Sequence, residues 1–192
     1  MQIHPAAEPE LHAVPADMQA RFLRIAELLE GFGPRQVGMS HVRPLEGKLW
    51  EMRMQGRAGI VRGVYAAVQG RMLIVLHVFV KKTPTTPRAA IETAHPPGEH
   101  AMKSLTQIKA ELIARPDVRA GYEALADEFA IARELISARA RAGLSQAEVA
   151  RRIGTTQSVV ARLESGRRPP SLRTVQRYAQ AVGAKAVLRI ET

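Results

Sequence analysis

The sequence predicts an α+β chain, in which a helix-plus-sheet domain is followed by an all-helical, helix-turn-helix domain. Residues 15–32 follow helical spacing, and three strand-like runs come next, at 48–54, 59–68 and 71–82. This order indicates a helix packed on an antiparallel meander. After residue 102 nearly every apolar pattern is helical, and 192 residues leave room for two such domains.

The first predicted helix begins at Pro15, because the missing N–H of proline costs nothing in a first turn. Gly31 and Gly33, with Pro34, are predicted to end it. Its core face is predicted to comprise Met18, Phe22, Ile25, Leu29 and Phe32.

The strand-like runs carry two different patterns. Residues 48–54 alternate, so Trp50 and Met52 should face one way while Glu51 and Arg53 face the other. The third run is almost continuously apolar, which is typical of a central strand that is covered on both sides. Residues 88–94 form a further short helix candidate.

The later helices are predicted from three amphipathic stretches. Leu105 to Leu112 form the first, which is followed by a break at Arg115 and Pro116. Val118 to Phe129 form the second, and Ile131 to Ala142 the third.

Composition and charge favour a cytoplasmic protein that binds polyanions. The net charge is +10, and residues from Ile131 onward carry 12 Lys and Arg against 4 Asp and Glu. Such a balance attracts nucleic acid, the ribosome or an acidic membrane surface. The chain has no cysteine, no long apolar span and no signal-peptide pattern, so we expect no disulfide, no membrane insertion and no export.

The strongest motif lies at 144–171, LSQAEVARRIGTTQSVVARLESGRRPPS. Ser145 and Glu148 form a capping box that starts a helix, and small Ala150 suits a close helix crossing. Gly154 can supply a left-handed turn, and Thr156 can cap the next helix. This pattern predicts a helix-turn-helix, although a plain helical bundle with a basic face is the simpler alternative.

The second helix of the motif, 157–164, is predicted to read DNA. Glutamine and arginine can make paired hydrogen bonds to base edges, and nearby arginines suit phosphates. The stretch 131–184 resembles the Xre/Cro repressor family, which implies operator DNA as partner and a homodimer. The tail 185–192 is predicted as a strand that pairs across the dimer or closes the domain. The candidate DNA-binding residues are Gln146, Thr156, Gln157, Ser158, Arg162, Arg167 and Arg168.

The strands of the first domain carry cations and proton-exchanging groups. Metal-ligand spacing, a carboxylate pair and a nucleophile elbow are absent from the sequence, so we expect no metal and no cofactor. Cations beside Tyr and His suit metal-independent RNA cleavage, in which the 2′-OH of the RNA is the nucleophile. Edge-protecting cations and a core histidine are the plainer alternatives. The candidate catalytic residues are Arg53, Arg62, Tyr65, His77, Lys81 and Lys82.

Most of residues 10–94 resemble the phage-derived Gp49-like branch of the HigB toxins, in the RelE/ParE superfamily. The resemblance rests on PLEGKLWEMR, on RGVY and on FVKKTPTTPRAAIETA. It implies a toxin that cleaves mRNA on the ribosome, with Arg53, Arg62, Lys81 and Lys82 on the RNA phosphates. Only MQIHP is available for a first strand, so we expect the sheet to lose an edge.

The second half resembles a HigA-type antitoxin from Met102 onward. We expect a toxin domain at 1–94, a seam at 95–102, a docking or connecting segment at 103–130 and a DNA-binding domain at 131–192. The seam, HPPGEHA followed by Met102, is interpreted as a natural or engineered gene fusion.

Together these patterns predict a fused toxin–antitoxin protein, in which the antitoxin half masks the toxin and represses its own operon. One alternative is a transcription regulator whose first domain is an inactive toxin. Another is a poison of DNA gyrase, because the ParE lineage shares the same sheet.

Overall fold

The computed structural model describes residues 1–56, 59–68, 72–80 and 102–188. The chain divides into two compact units, each of which is described separately below. The first unit comprises Met1–Pro34 and His41–Leu125, and the second comprises Arg35–Ser40 and Ala126–Thr192. Among the helices of the described ranges, none has the length and apolar character that crossing a membrane requires.

The first unit is a mixed α+β fold. Its described residues form a sheet of six strands in the order β2-β3-β4-β5-β1-β6. The pairing of β1 with β5 is parallel, and the other pairings are antiparallel. The strands are β1 (Gln2–Ile3), β2 (Val42–Pro44), β3 (Leu49–Gly56), β4 (Gly59–Ala67), β5 (Leu73–Val80) and β6 (Lys103–Ser104).

The predicted meander is present as β3, β4 and β5. Arg53 pairs with Arg62, and Trp50 pairs with Tyr65, so these two pairs lie on opposite faces of the sheet. A bulge interrupts the pairing of β4 with β5 between Val64 and Tyr65. The fold class predicted from the helix-then-strands order is therefore confirmed.

The helices of the first unit include one long helix with a break. Gly33 has φ 75° and ψ 164°, which interrupts the helix, but the chain resumes helical geometry through Pro34 to Val37. The first helix therefore ends at Gly33, as predicted, and a new helical segment begins at Pro34, because proline is tolerated in a first turn. The helices are α1 (Ala7–Ala13), α2 (Ala16–Val37), α3 (Leu105–Ile113) and α4 (Pro116–Ala124).

The core of the first unit takes buried side chains from both α2 and the sheet. Met18, Phe22, Ile25 and Leu29 are buried at the predicted helical spacing. Met52 and Met54 of β3 are buried too, as the alternation of that strand predicts. Full burial of such a side chain contributes about 1.5–3 kcal/mol.

The edge that a short N-terminus was expected to leave open is occupied. Gln2 and Ile3 enter the sheet beside β5, and Lys103 and Ser104 then pair with them on the other side. The backbone N–H of Leu105 also donates to the carbonyl of Met1, at 2.9 Å. Residues from beyond the predicted seam thus extend the sheet of the first unit.

The second unit is helical around an apolar core, which is formed by Leu135, Val149, Ala150, Val160, Tyr178 and Val182. The capping box of Ser145 and Glu148 is present as predicted, and Ser171 caps the last helix. Leu172, the first residue of the last helix, is exposed. The helices are α5 (Ala126–Arg141), α6 (Gln146–Arg152), α7 (Gln157–Leu163) and α8 (Leu172–Ala181).

Several predictions concern residues at the limits of the described ranges or beyond them. Residues 185–188 of the predicted C-terminal strand have no regular secondary structure, and 189–192 lie outside the described residues. The helix predicted at 88–94, the seam residues 95–101, and both Lys81 and Lys82 also lie outside them.

Candidate nucleic-acid interfaces

The second unit contains a helix-turn-helix made of α6 and α7. Gly154 has φ 66° in the turn between the two helices, a conformation that favours glycine. The backbone N–H of Thr155 donates to the carbonyl of Ala150 at 2.9 Å, which fixes the turn. Val149 and Val160 are buried where the helices meet, so the two helices are held at a fixed crossing.

The outward face of α7 carries side chains that can read base edges. Gln157, Ser158 and Arg162 are exposed, as predicted. Thr156 precedes the helix and is also exposed, although its side chain makes no capping hydrogen bond. Arg167 and Arg168 are exposed in the loop after α7, where they can contact phosphates.

Gln146 differs from the other predicted DNA-binding residues. Its side chain is buried, and its Nε2 donates to the Glu164 carboxylate at 2.9 Å. Its amide therefore lies inside the helix-turn-helix and stabilises it through this hydrogen bond.

A buried ionic network holds the C-terminal end of α7. Arg139 donates two parallel hydrogen bonds to Glu164, from Nε at 2.7 Å and from Nη2 at 2.8 Å. The Tyr178 hydroxyl donates to the same carboxylate at 2.5 Å. Because Glu164 is the residue that ends α7, this network fixes the predicted recognition helix against α5 and α8.

The network shifts the ionisation of its members. Burial favours the neutral form of Arg139, but the hydrogen bonds and charge of Glu164 outweigh it, so the pKa of Arg139 is raised. Burial, together with the Glu164 charge, also raises the pKa of Tyr178 well above its ordinary value. Both groups therefore keep one protonation state across the physiological range.

A cluster of arginines lies on one face of the sheet in the first unit. Glu51 is fully buried on β3, and its carboxylate lies 3.1 Å from Nε of Arg53 and 3.5 Å from Nε of Arg62. Arg43 of β2 approaches the same carboxylate at 3.4 Å. Three guanidinium groups therefore surround one carboxylate on this face, here called the cationic face.

His77 extends the cationic face on β5. It pairs with Val64, and its ring stacks on Phe79, the residue that pairs with Arg62. Nδ1 of His77 lies 2.8 Å from the Glu10 carboxylate of α1. Glu10 also accepts the backbone N–H of Val78 at 2.8 Å, so its position is fixed.

Tyr65 does not join the other catalytic candidates. It pairs with Trp50 on the opposite face, is fully buried, and has no hydrogen-bond partner for its hydroxyl in the described part of the chain. Burial raises the pKa of this hydroxyl far above its ordinary value, which makes it a poor proton donor.

Sequence reasoning missed two acidic residues that organise the cationic face. Glu51 stands two residues before Arg53 on the same face of β3, so strand alternation contained a signal for it. Glu10 lies 67 residues from His77, and nothing local in the sequence links them.

The helices α3 and α4 pack on α2 through polar contacts. The Tyr122 hydroxyl donates to Glu27 at 2.6 Å and accepts from Lys109 at 2.8 Å. The guanidinium of Arg24 lies 3.6 Å from the centre of the Tyr122 ring and donates to its carbonyl. These contacts attach the segment after the seam to the helix layer of the first unit.

One acidic group in the first unit has the composition of a cation site. Glu8, His12 and Glu111 bring ligand atoms within 4.8 Å of one another. The ammonium of Lys103, however, donates to Glu8 at 2.6 Å and to Glu111 at 2.8 Å. A cation of the chain itself thus balances these carboxylates.

Comparison with protein families matches each part of the chain separately. Residues 9–96 match the phage-derived protein Gp49-like family, and residues 130–191 match a helix-turn-helix domain. No curated protein matches the chain. The chain therefore carries a toxin-like Gp49 domain followed by a helix-turn-helix DNA-binding domain, which confirms the resemblance to a toxin joined to an antitoxin.

Proposed function

We propose that the chain is a fused toxin–antitoxin protein, in which a ribosome-dependent mRNA endonuclease is joined to the antitoxin that masks it and represses the operon. The observation that carries the toxin part is the cationic face, where Arg53, Arg62 and His77 occupy adjacent positions on neighbouring strands.

The proposed cleavage uses groups of this face. Nδ1–H of His77 donates a hydrogen bond to Glu10 and keeps its proton, which leaves the lone pair of Nε2 for substrate. Nε2 takes the proton of a ribose 2′-OH, whose oxygen attacks the adjacent phosphorus. The P–O5′ bond breaks, and the leaving oxygen takes a proton from solvent. The products are a 2′,3′-cyclic phosphate and a 5′-hydroxyl end.

The arginines would stabilise the phosphorane that forms during this step. Glu51 accepts a hydrogen bond from Arg53 and forms an ion pair with the buried Arg62 before substrate arrives, and preorganised cations stabilise developing charge most effectively. The sequence adds Lys81 and Lys82 directly after β5 as further phosphate contacts. Tyr65 has no role in this scheme, because it lies on the other face.

The proposed masking acts through α3 and α4. Their contacts with Arg24 and Glu27 lie on α2, whereas the arginines of the cationic face lie on the strands. We therefore infer that these helices leave the cationic face uncovered and instead add bulk that keeps the toxin out of the ribosome.

The proposed second function is autorepression in the cytoplasm. The exposed side chains Gln157, Ser158 and Arg162 support recognition of operator DNA, and a homodimer would read two half-sites. The main alternative is a DNA-binding regulator whose Gp49-like domain is catalytically inactive. Replacing Arg53 and Lys82 with alanine separates the two, because only an active toxin loses an effect on growth.

A growth assay with three chains tests the toxin and its masking. Residues 1–94 should arrest translation, whereas residues 1–125 and the full chain should not, because both retain α3 and α4. Co-expression of 102–192 with 1–94 should restore growth and yield a one-to-one complex. Soluble but harmless 1–94 would contradict the toxin proposal, and arrest by 1–125 would assign masking to the second unit.

A further inference from the structure

The segment Arg35–Ser40 belongs to the DNA-binding unit although it comes from the first half of the chain. Nη2 of Arg139 donates to the carbonyl oxygen of Gln36 at 2.5 Å, and Nη1 donates to the side-chain oxygen at 3.1 Å. Arg139 is the residue that also binds Glu164 at the end of α7. The segment is thus bonded to the network that holds the recognition helix.

Gly38 brings the segment into close contact with the start of α6. A methyl group at Gly38 would lie 2.9 Å from Nε2 of Gln146, nearer than packed atoms tolerate. Gly38 also has φ +74°, which other residues rarely adopt. Val37 beside it is fully buried. The position of the segment in this unit is therefore defined by packing as well as by hydrogen bonds.

This packing places a cation in a cleft that is lined by residues at the starts of both α6 and the recognition helix. Arg35 is exposed and lines a cleft of about 350 Å³ together with Ser145 and Gln157. Glu148 lines the same cleft, but its carboxylate accepts hydrogen bonds from the backbone N–H and the hydroxyl of Ser145, both at 2.7 Å. Arg35 therefore adds positive charge at this end of the motif.

We propose that Arg35 contacts a phosphate of the DNA backbone, so that the segment Arg35–Ser40 is part of the DNA-binding site. The proposal rests on DNA binding by the helix-turn-helix. In such motifs the first helix crosses the DNA backbone, and the N-terminal residues of the second enter the major groove. A guanidinium that shares a cleft with Ser145 and Gln157 lies where those two contacts meet.

The chemistry selects phosphate over a base edge as the target of Arg35. The predicted base-reading residues already occupy α7, whereas Arg35 lies beside the start of α6. A phosphate contact is independent of sequence and releases a bound counterion, so it contributes to the salt dependence of binding. Random-sequence duplex DNA is therefore a sufficient probe.

Salt-dependent binding of the full-length protein to a 30-base-pair random duplex tests the proposal. Arg35→Ala should weaken binding about five- to tenfold near physiological salt. It should also reduce the magnitude of the negative slope of log K against log salt by about one. Arg35→Lys should keep the slope, because lysine supplies the same charge. Arg119→Ala, at an exposed arginine of α4, is the control for net charge and should leave the slope unchanged.

An unchanged slope for Arg35→Ala, or an equal fall for Arg119→Ala, would overturn the assignment of Arg35. Gly38→Ala should weaken binding while keeping the slope, because it displaces Gln146 without removing a charge. Wild-type protein that fails to bind duplex DNA at any salt would instead refute the DNA-binding function itself.

Discussion

Each unit of the molecule contains a fully buried glutamate that is bound by arginine, and the two arrangements differ in what remains accessible. In the second unit, Arg139 is 2% exposed, and all the partners named for Glu164 are internal. In the first unit, the Arg53 and Arg43 side chains remain 27% and 33% exposed, although that of Arg62 is only 9% exposed. A complete buried network fixes a helix, whereas a partly open one presents cations to a ligand.

Breaking the closed network should have the largest effect. Arg139→Leu leaves the Glu164 carboxylate buried without its ion partner, which typically costs about 3–5 kcal/mol. We expect the free energy of unfolding of the second unit to fall by this order, with loss of DNA binding. Thermal and urea unfolding measure the first effect, and a duplex-binding assay measures the second.

An unchanged unfolding transition of this variant would contradict the comparison. Arg133→Leu, at an exposed arginine of the same helix, is a matched control that should leave stability nearly unchanged.

Removing an arginine from the cationic face should affect RNA cleavage more than stability. Arg53→Ala removes a partly exposed cation, so the free energy of unfolding should change by less than about 1 kcal/mol. If Arg53 stabilises the phosphorane, RNA cleavage by residues 1–94 should fall about 100-fold or more. Primer extension on translated mRNA quantifies the cleavage.

Arg57→Ala is the control for lost charge. Arg57 follows Arg53 closely in the sequence but is not among the candidate catalytic residues. Equal losses of cleavage in the two variants would show that the cationic face acts through net charge alone.

Glu148 shows how a hydrogen-bonded glutamate behaves when it is not fully buried, unlike Glu51 and Glu164. The hydrogen bonds of Ser145 hold the pKa of Glu148 below its ordinary value. Stability from this group is therefore present above about pH 4.5 and is lost as the pH falls through the lowered folded-state pKa. Glu148→Gln should flatten the acid limb of the melting temperature between about pH 3 and 5. An acid limb identical to that of the wild type would contradict this assignment.

Removing the hydroxyl of buried Tyr65 should give the smallest effect, and buried Tyr178 serves as the comparison. Tyr178 is bonded to Glu164, whereas the Tyr65 hydroxyl lacks a partner among the described residues. Tyr65→Phe should therefore change the free energy of unfolding by less than about 1 kcal/mol, in either direction, and leave cleavage intact. Tyr178→Phe should be clearly destabilising. Chemical unfolding of both variants provides the measurement, and a large loss for Tyr65→Phe would contradict the placement of its hydroxyl.

The sequence predicted features that depend on local spacing. The capping box of Ser145 and Glu148 and the buried stripe of α2 follow from residues within a few positions of one another. Pairings across long separations had no local signal, as for Glu10 with His77. Gln146 was among the candidate DNA-binding residues, but its amide is buried and donates to the carboxylate of Glu164, 18 residues away in the sequence.

The faces of the strands show a similar division. Alternation correctly separated the methionines of β3 from Glu51 and Arg53. It did not reveal that Tyr65 pairs with Trp50, because the relative register of two strands depends on their turn and on core packing.

The most direct test of the central claim is to map the ends of ribosome-bound mRNA after expression of residues 1–94. The account predicts new 5′-hydroxyl ends within translated codons, paired with 2′,3′-cyclic phosphates. Their number should fall sharply when Arg53 or His77 is replaced by alanine. Intact mRNA in cells that contain soluble 1–94 would contradict the claim that the cationic face cleaves RNA.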